Sequence, residues 1–364
     1  MDWSFEGLGF GYGSVAVANG KVHVTGIKDT ATTFGTLFAF DLDGELLWQI
    51  DYGPDFCRSF HGTRSTPTVI GNYIYIASGA GAVYCFDAEN GDEIWSVDFV
   101  KDLQVDIIPR WGYAESVFID GNNLICVPGG KENNVVSLNR FTGEMVWSSK
   151  GYGEVATYNS PILINHNGNR LLIAMTSGSI MGINADTGEM YWRKHQFQRN
   201  SIHANTPLYF DGKIVVSSES GNDNSGLVQL QLSEDGKKAK EVWRNLKFSN
   251  LMSGIVRIDS SIYGSVYQRS DWQVISWNTG EILHKSKELG SGTVIYADGM
   301  FYCYTERKGE MALVEATPEK FEVISKFSVP LGTLQHWAHP VIKDGKLYIR
   351  HGNALMVYSI SKKI

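Results

Sequence analysis

The chain has little of what would staple it, thread it through a bilayer or hold it on nucleic acid. Its four cysteines, Cys57, Cys85, Cys126 and Cys303, lie far apart and form no C-x-x-C pair. That spacing argues against a cysteine metal site and leaves buried free thiols as the expectation. No apolar run approaches the roughly 20 residues that cross a bilayer as a helix. Lys and Arg number 32 against 39 Asp and Glu, a net charge of −7 with a pI near 5.7. Without clustered basic residues nothing displaces counterions from a phosphate backbone, so nucleic acid is not an expected partner. Helical periodicity is missing as well.

Turn formers and aromatics are abundant: 39 Gly, 17 Phe, 17 Tyr and 10 Trp. Aromatics fit pleated surfaces and glycine fits tight turns, so the composition points to an all-β chain. The segment 183–192, INADTGEMYW, recurs in worn form at 39–48, 85–95, 137–147 and 274–284, with a further copy ending at Trp243. Each copy reads as a strand, a turn on Thr-Gly, Asn-Gly or Asp-Gly, and a second strand carrying an aromatic residue just past the glycine. A second turn signal runs ahead of each copy, at Asn19-Gly20, Gly71-Asn72, Asp120-Gly121, Asn167-Gly168, Asp211-Gly212, Asp259-Ser260, Asp298-Gly299 and Asp344-Gly345.

These turns recur at intervals of about 40 to 50 residues, enough for four short strands, which is the blade of a β-propeller. The eighth unit ends after three strands, whereas Trp3 stands at the start with no hairpin before it. The reading is an eight-bladed propeller of four-stranded antiparallel blades, a single domain over 1–364, whose last blade is closed by the N-terminal strand. Trp48, Trp95, Trp147, Trp192 and Trp243 are expected to fill the wedges between blades. His284 replaces the Trp in the sixth unit and the seventh lacks a turn glycine near Thr317, so that sector is expected to pack least regularly.

The pattern Asp-x-x-Thr-Gly-x-x-x-Trp, nearly intact at 139–147 and 184–192, resembles the docking motif of the pyrroloquinoline-quinone-like repeat. This family includes the propellers of quinoprotein alcohol dehydrogenases and the outer-membrane assembly lipoprotein BamB. The resemblance implies an eight-bladed propeller of an exported protein, periplasmic or at the cell surface with its leader removed, with a cytoplasmic location as the alternative. Dehydrogenases of the family carry adjacent cysteines over the quinone and a calcium held by Glu, Asn and Asp. No two cysteines here are neighbours and those calcium ligands have no assignable counterparts, so no quinone is expected as cofactor.

The segment ahead of each upstream turn would enter the central channel, where propellers commonly bind ligands. Most units carry a small hydroxyl there, as at Ser14, Thr66, Ser160, Thr206 and Thr293, while Glu115 and His339 stand in two others. Around them gather His61, Arg64, Arg110, Trp111, Tyr113, Tyr158, Asn159, His203, Asn205, His336 and Trp337. The longest connection between blades, 96–114, falls on the same side. Imidazole, guanidinium, carboxylate and aromatic faces together suit an oxygen-rich small molecule, saccharide or peptide, with arginine pairing a ligand carboxylate. His61, His203, His336 and His339 have no local metal spacing, and no metal is expected. The function expected is an exported ligand-binding or protein-interaction propeller, acting as a monomer. The alternatives are a lyase or hydrolase on an acidic polysaccharide, with Glu115 as acid and a His or Tyr base, and a quinone-dependent alcohol dehydrogenase.

Overall fold

The computed structural model describes residues 1–29, 31–196, 202–267 and 269–361, and contains no helix among them. Eight four-stranded antiparallel sheets succeed one another around a central channel. Blade one consists of Ala16–Ala18, Lys21–Gly26, Phe34–Asp41 and Leu46–Pro54, in consecutive order. Blades two to seven repeat this within 68–98, 118–149, 162–195, 208–245, 255–286 and 292–328. Blade eight takes Val341–Lys343, Lys346–His351 and Ala354–Ser359 from the C-terminal part and Trp3–Phe5 from the opposite end of the chain.

Closure of the ring is therefore as the sequence predicts. Trp3, Ser4 and Phe5 pair with Val357, Met356 and Leu355. The Asp2 amide donates to Val357 O at 2.7 Å, and Ser359 Oγ donates to the Asp2 carboxylate at 2.7 Å. Trp3 and Phe5 cover a core of Leu8, Val22, Val24, Phe38, Phe40, Leu355 and Val357 shared by the eighth and first blades.

Strands two and three of each blade are sandwiched between neighbouring sheets and are buried on both faces, as in Ala82–Asp87 with five consecutive buried residues. Outer strands alternate: in Glu93–Asp98, Trp95 and Val97 are buried while Ile94 and Ser96 face solvent. The pairing of strands three and four slips by one residue in blades one to seven, just before the tryptophan in blades one to five and before His284 and Ser325 in blades six and seven, a bulge that adds twist to the blade rim.

The repeat motif acts between blades. Gly44, Gly91, Gly143, Gly188 and Gly280 hold φ of +72° to +96° at the hairpin tip, a conformation that favours glycine. Each also lies beneath the preceding blade's tryptophan, where an added Cβ would come within 2.4–3.0 Å of the indole of Trp3, Trp48, Trp95, Trp147 and Trp243 respectively. Indole Nε1 groups of Trp3, Trp95, Trp192 and Trp243 donate to hairpin carbonyls of the next blade, Leu42, Arg140, Gly236 and Trp277, at 3.0–3.1 Å. The leading Asp or Asn folds the hairpin locally: Asn184 Oδ1 accepts from the amides of Asp186 and Thr187.

Blade seven differs from the expectation of irregular packing. Thr317 pairs with Lys320, leaving Pro318-Glu319 as a two-residue turn that needs no glycine. Phe321 then stacks on the buried Trp272 of blade six at 5.5 Å and fills the wedge. Cys85, Cys126 and Cys303 are buried and Cys57 is partly exposed, all as free thiols.

Candidate functional site

One end of the channel opens into a cavity of about 610 Å³. Its floor is a ring built from one residue per blade, each five places before the turn that follows the blade's first strand. Blades one to six and eight supply Ser14, Thr66, Ser116, Ser160, Thr206, Gly254 and His339, with Ser160 standing two places further back, whereas in blade seven the equivalent Thr293 is buried and its neighbour Val294 lines the cavity. The hydroxyls join adjacent blades. Amides of Ser14, Thr66 and Ser116 donate to Thr66 Oγ1, Ser116 Oγ and Ser160 Oγ, all at 3.0 Å. Ser14 Oγ and Ser160 Oγ donate to the carbonyls of His339 and Ser116 at 2.8 Å. These small hydroxyls thus tie neighbouring first strands together around the channel.

His339 breaks the ring's chemistry as its sequence position suggests. Its imidazole reaches past blade seven to blade six, where a Cβ on Gly254 would lie 3.0 Å from Cε1. The side chain absent from Gly254 makes room for the one that is oversized on blade eight. Burial holds this imidazole below its ordinary value.

Glu115 behaves differently from the expectation. In blade three Asp120 pairs with Asn123, so the turn is Gly121-Asn122, one residue later than the Asp-Gly signal suggests. The ring residue is therefore Ser116, and Glu115 does not line the cavity. Its carboxyl is 2 % exposed, accepts the Val127 amide at 2.8 and 3.1 Å, and is pushed up to about 8 by burial.

The walls are aromatic. Tyr12, Phe60, Trp111, Tyr158, Tyr267 and Trp337 line the cavity together with Arg64, Asn159 and Asn205. Trp337 packs on Tyr12 at 4.9 Å and on Phe60 at 5.2 Å, and Tyr12 Oη donates to Gln335 Oε1 at 3.0 Å. Across the cavity, Trp111 packs on Tyr158. Among the described residues, Arg64 is the one Lys or Arg in the lining, which contains no Asp or Glu. Its guanidinium is fixed by the carbonyls of Gly62, Ser59 and Phe60 at 2.7, 3.2 and 2.7 Å and lies 4.4 Å over the Phe56 ring. The carboxylate nearest in its electrostatics, Asp55, is buried behind it and taken up by Tyr52 Oη and the amides of Phe56 and Gly79.

The other sequence candidates sit behind or beside this wall. Arg110 is exposed and lies 4.9 Å over Trp111. His61 packs edge-on against Phe10 at 4.6 Å. Tyr113 is buried and donates to Pro128 O at 3.0 Å. His203 is fully buried and pushed down to about 4 by burial. His336 takes a 2.5 Å contact from Tyr304 Oη on its Nδ1. Among the described residues no group of three or more His, Cys, Asp or Glu is placed to hold a metal ion. Tyr12, Phe60, Tyr267 and Ser116 were missed by the sequence reading. Tyr12 and Phe60 lie in the same blade-to-blade connections as Ser14 and Arg64 and were open to it. Tyr267 enters from between the second and third strands of blade six, where the repeat gives no signal.

A ring of eight such blades, with tryptophans docked on the next hairpin, defines the quinoprotein-like repeat class. Residues 33–286 match the model of the family described as outer membrane protein assembly factor BamB, and the chain belongs to that family. It is 27% identical over 213 residues to BamB of Kangiella koreensis, covering 57% of this chain and 48% of that one. It is 24% identical over 186 residues to the quinoprotein alcohol dehydrogenase PedH of Pseudomonas putida, covering 49% and 29%. These matches span about half or less of the relatives' own length. Among solved structures, BamB from Moraxella catarrhalis superposes with a TM-score of 0.66 at 13% identity, covering 97% of this chain and 95% of that one, a likeness of fold. No helix among the described residues is long and apolar enough to cross a membrane.

Proposed function

We propose that the protein is an exported binding propeller, one domain over 1–364, whose channel mouth takes an oxygen-rich, carboxylate-bearing ligand such as an acidic saccharide. The observation that carries this reading is the wall itself: among the described residues, aromatic platforms surround one anchored guanidinium, with no carboxylate in the lining. Three carbonyls pre-orient Arg64, so a ligand carboxylate meets a charge that needs no ordering on binding. Aromatic faces around it suit the apolar faces of sugar rings. The BamB relatives support a binding role and a periplasmic setting for this chain.

The catalytic alternative lacks its acid, since Glu115 is held away from the cavity against Val127 N. The quinone centre of the dehydrogenases fits poorly as well. A cation paired with the quinone would find no carboxylate among the described residues of this lining, and Cys57, Cys85, Cys126 and Cys303 include no adjacent pair.

Titration with trigalacturonate, followed by tryptophan fluorescence and calorimetry, tests the proposal. Binding is expected for the uronate trimer and to be much weaker for the uncharged trigalactose. Arg64→Gln should weaken uronate binding by roughly ten- to a hundredfold, the loss of a charge-assisted hydrogen bond. Equal affinity for charged and neutral trimers, or none for either, would refute the reading.

A further inference from the structure

The wall of the cavity at blade eight is hung from a histidine. His351, at the end of Lys346–His351, is 8% exposed. Its Nδ1 lies 2.7 Å from Leu331 O and its Nε2 3.0 Å from Leu334 O. Both partners are backbone carbonyls and accept only, so both contacts are hydrogen bonds when both ring nitrogens carry protons, which is the imidazolium form. A neutral ring supplies one donor and leaves one carbonyl facing a lone pair.

The strap that wraps the ring is under tension. Leu334 holds φ +71°, a left-handed conformation that a leucine adopts at an energetic cost, and Gly332 holds φ +98° with its neighbouring space filled by His351. The residues that follow the strap reach the cavity: Gln335 accepts from Tyr12, Trp337 packs on Tyr12 and Phe60, and His339 enters the channel ring. Between them His336 stacks on His351, ring centroids 3.7 Å apart and 22° from parallel. Burial, and then the neighbouring His351, push His336 down to about 4, so His336 stays neutral and accepts from Tyr304.

We propose that His351 is a proton-operated clamp: protonated, it fixes the strap 331–334 and with it the Trp337 wall of the cavity, and on losing its proton it releases one carbonyl and loosens that wall. The groups facing the pair are few. His336 covers one face of the ring and carries the Tyr304 phenol, and the turn holding Glu306, Arg307 and Lys308 reaches His336 through Gly309. Arg350, the preceding residue, turns away to the carbonyls of Gly13 and Gly352. Among the described residues neither imidazole forms an ion pair with a carboxylate. The clamp regulates the mouth assigned a ligand above, and its relevance to binding rests on that assignment. Its operation does not, and the test uses the protein alone.

Nitrogen-15 NMR of the histidine rings, with His351 assigned by its loss in His351→Gln, is expected to show protons on both His351 nitrogens at about pH 6 and one on His336. A neutral His351 there overturns the proposal. Amide exchange over 331–337, corrected for intrinsic rates, should rise about tenfold between about pH 6 and pH 9 as one hydrogen bond is lost. In His351→Gln it should be fast throughout. Protection that is the same at both ends of that range in the wild-type protein overturns the proposal even if the variant fails to fold.

Discussion

Removal of residues 1–8 should lower the melting temperature by roughly 5–10 °C and make the protein aggregate on heating. The deletion takes away the fourth strand of blade eight and uncovers the core shared with blade one. Trp3 and Phe5 lie against Phe38 and Phe40, and fully buried Leu8 belongs to the same cluster. At about 1.5–3 kcal/mol for each large apolar side chain, three such losses amount to roughly 5 kcal/mol or more. Truncation also bares the edge of Ala354–Ser359, whose amides and carbonyls become a template for another chain. Trp3→Ala should cost less, because the strand pairing survives and only the indole wedge and its bond to Leu42 O are lost. Calorimetry with light scattering measures both effects. A truncated protein that melts with the full chain and stays clear would mean that the ring does not depend on this strand.

Between about pH 6.5 and 8.5 the folded protein should lose stability, and Glu115→Gln should remove much of that loss. Burial raises the Glu115 carboxyl from 4.5 to about 8, with the Val127 amide opposing. A raised acid binds its proton more tightly in the folded state. Its contribution is therefore complete below the unfolded value of 4.5 and declines as pH rises toward about 8. Over the part of that window above pH 6.5 the slope amounts to about 2 kcal/mol. Below pH 6.5 the opposite sign enters, since burial holds His23 and His203 near 4 and their stabilising neutrality is lost as pH falls from 6.5 toward that value. Denaturant unfolding of both proteins across the range reads the difference directly. Parallel stability curves for the wild-type protein and the Glu115→Gln variant would show that the carboxyl carries no such load.

Strand, turn and blade boundaries were readable because their causes are local. The hairpin of 184–192 is folded by the Asn184 side chain on the amides just after it and by a glycine at positive φ, interactions within a few residues. The closing strand was readable for a related reason: a repeat that stops one strand short at one end must be completed by the surplus strand at the other. Blade seven is less legible because it has no turn glycine, and a Pro-Glu turn and the Phe321–Trp272 stack do the same work. The cavity lining was readable only as a region. Arg64, Trp111, Tyr158, Asn159, Asn205, Trp337 and His339 line the cavity, whereas Glu115, Tyr113, His61, Arg110, His203 and His336 from the same loops do not.

What the amino-acid order determined by itself was the architecture, eight sectors with tryptophan wedges and a borrowed strand, because a pattern repeated eight times averages out the ambiguity of any one copy. Only the tertiary structure decided which side chains face the channel. A slip of one residue in the turn after Asp120 exchanges Ser116 for Glu115, since successive side chains on an extended backbone point to opposite sides. Pairing register, set by contacts from strands far apart in the chain, makes that choice.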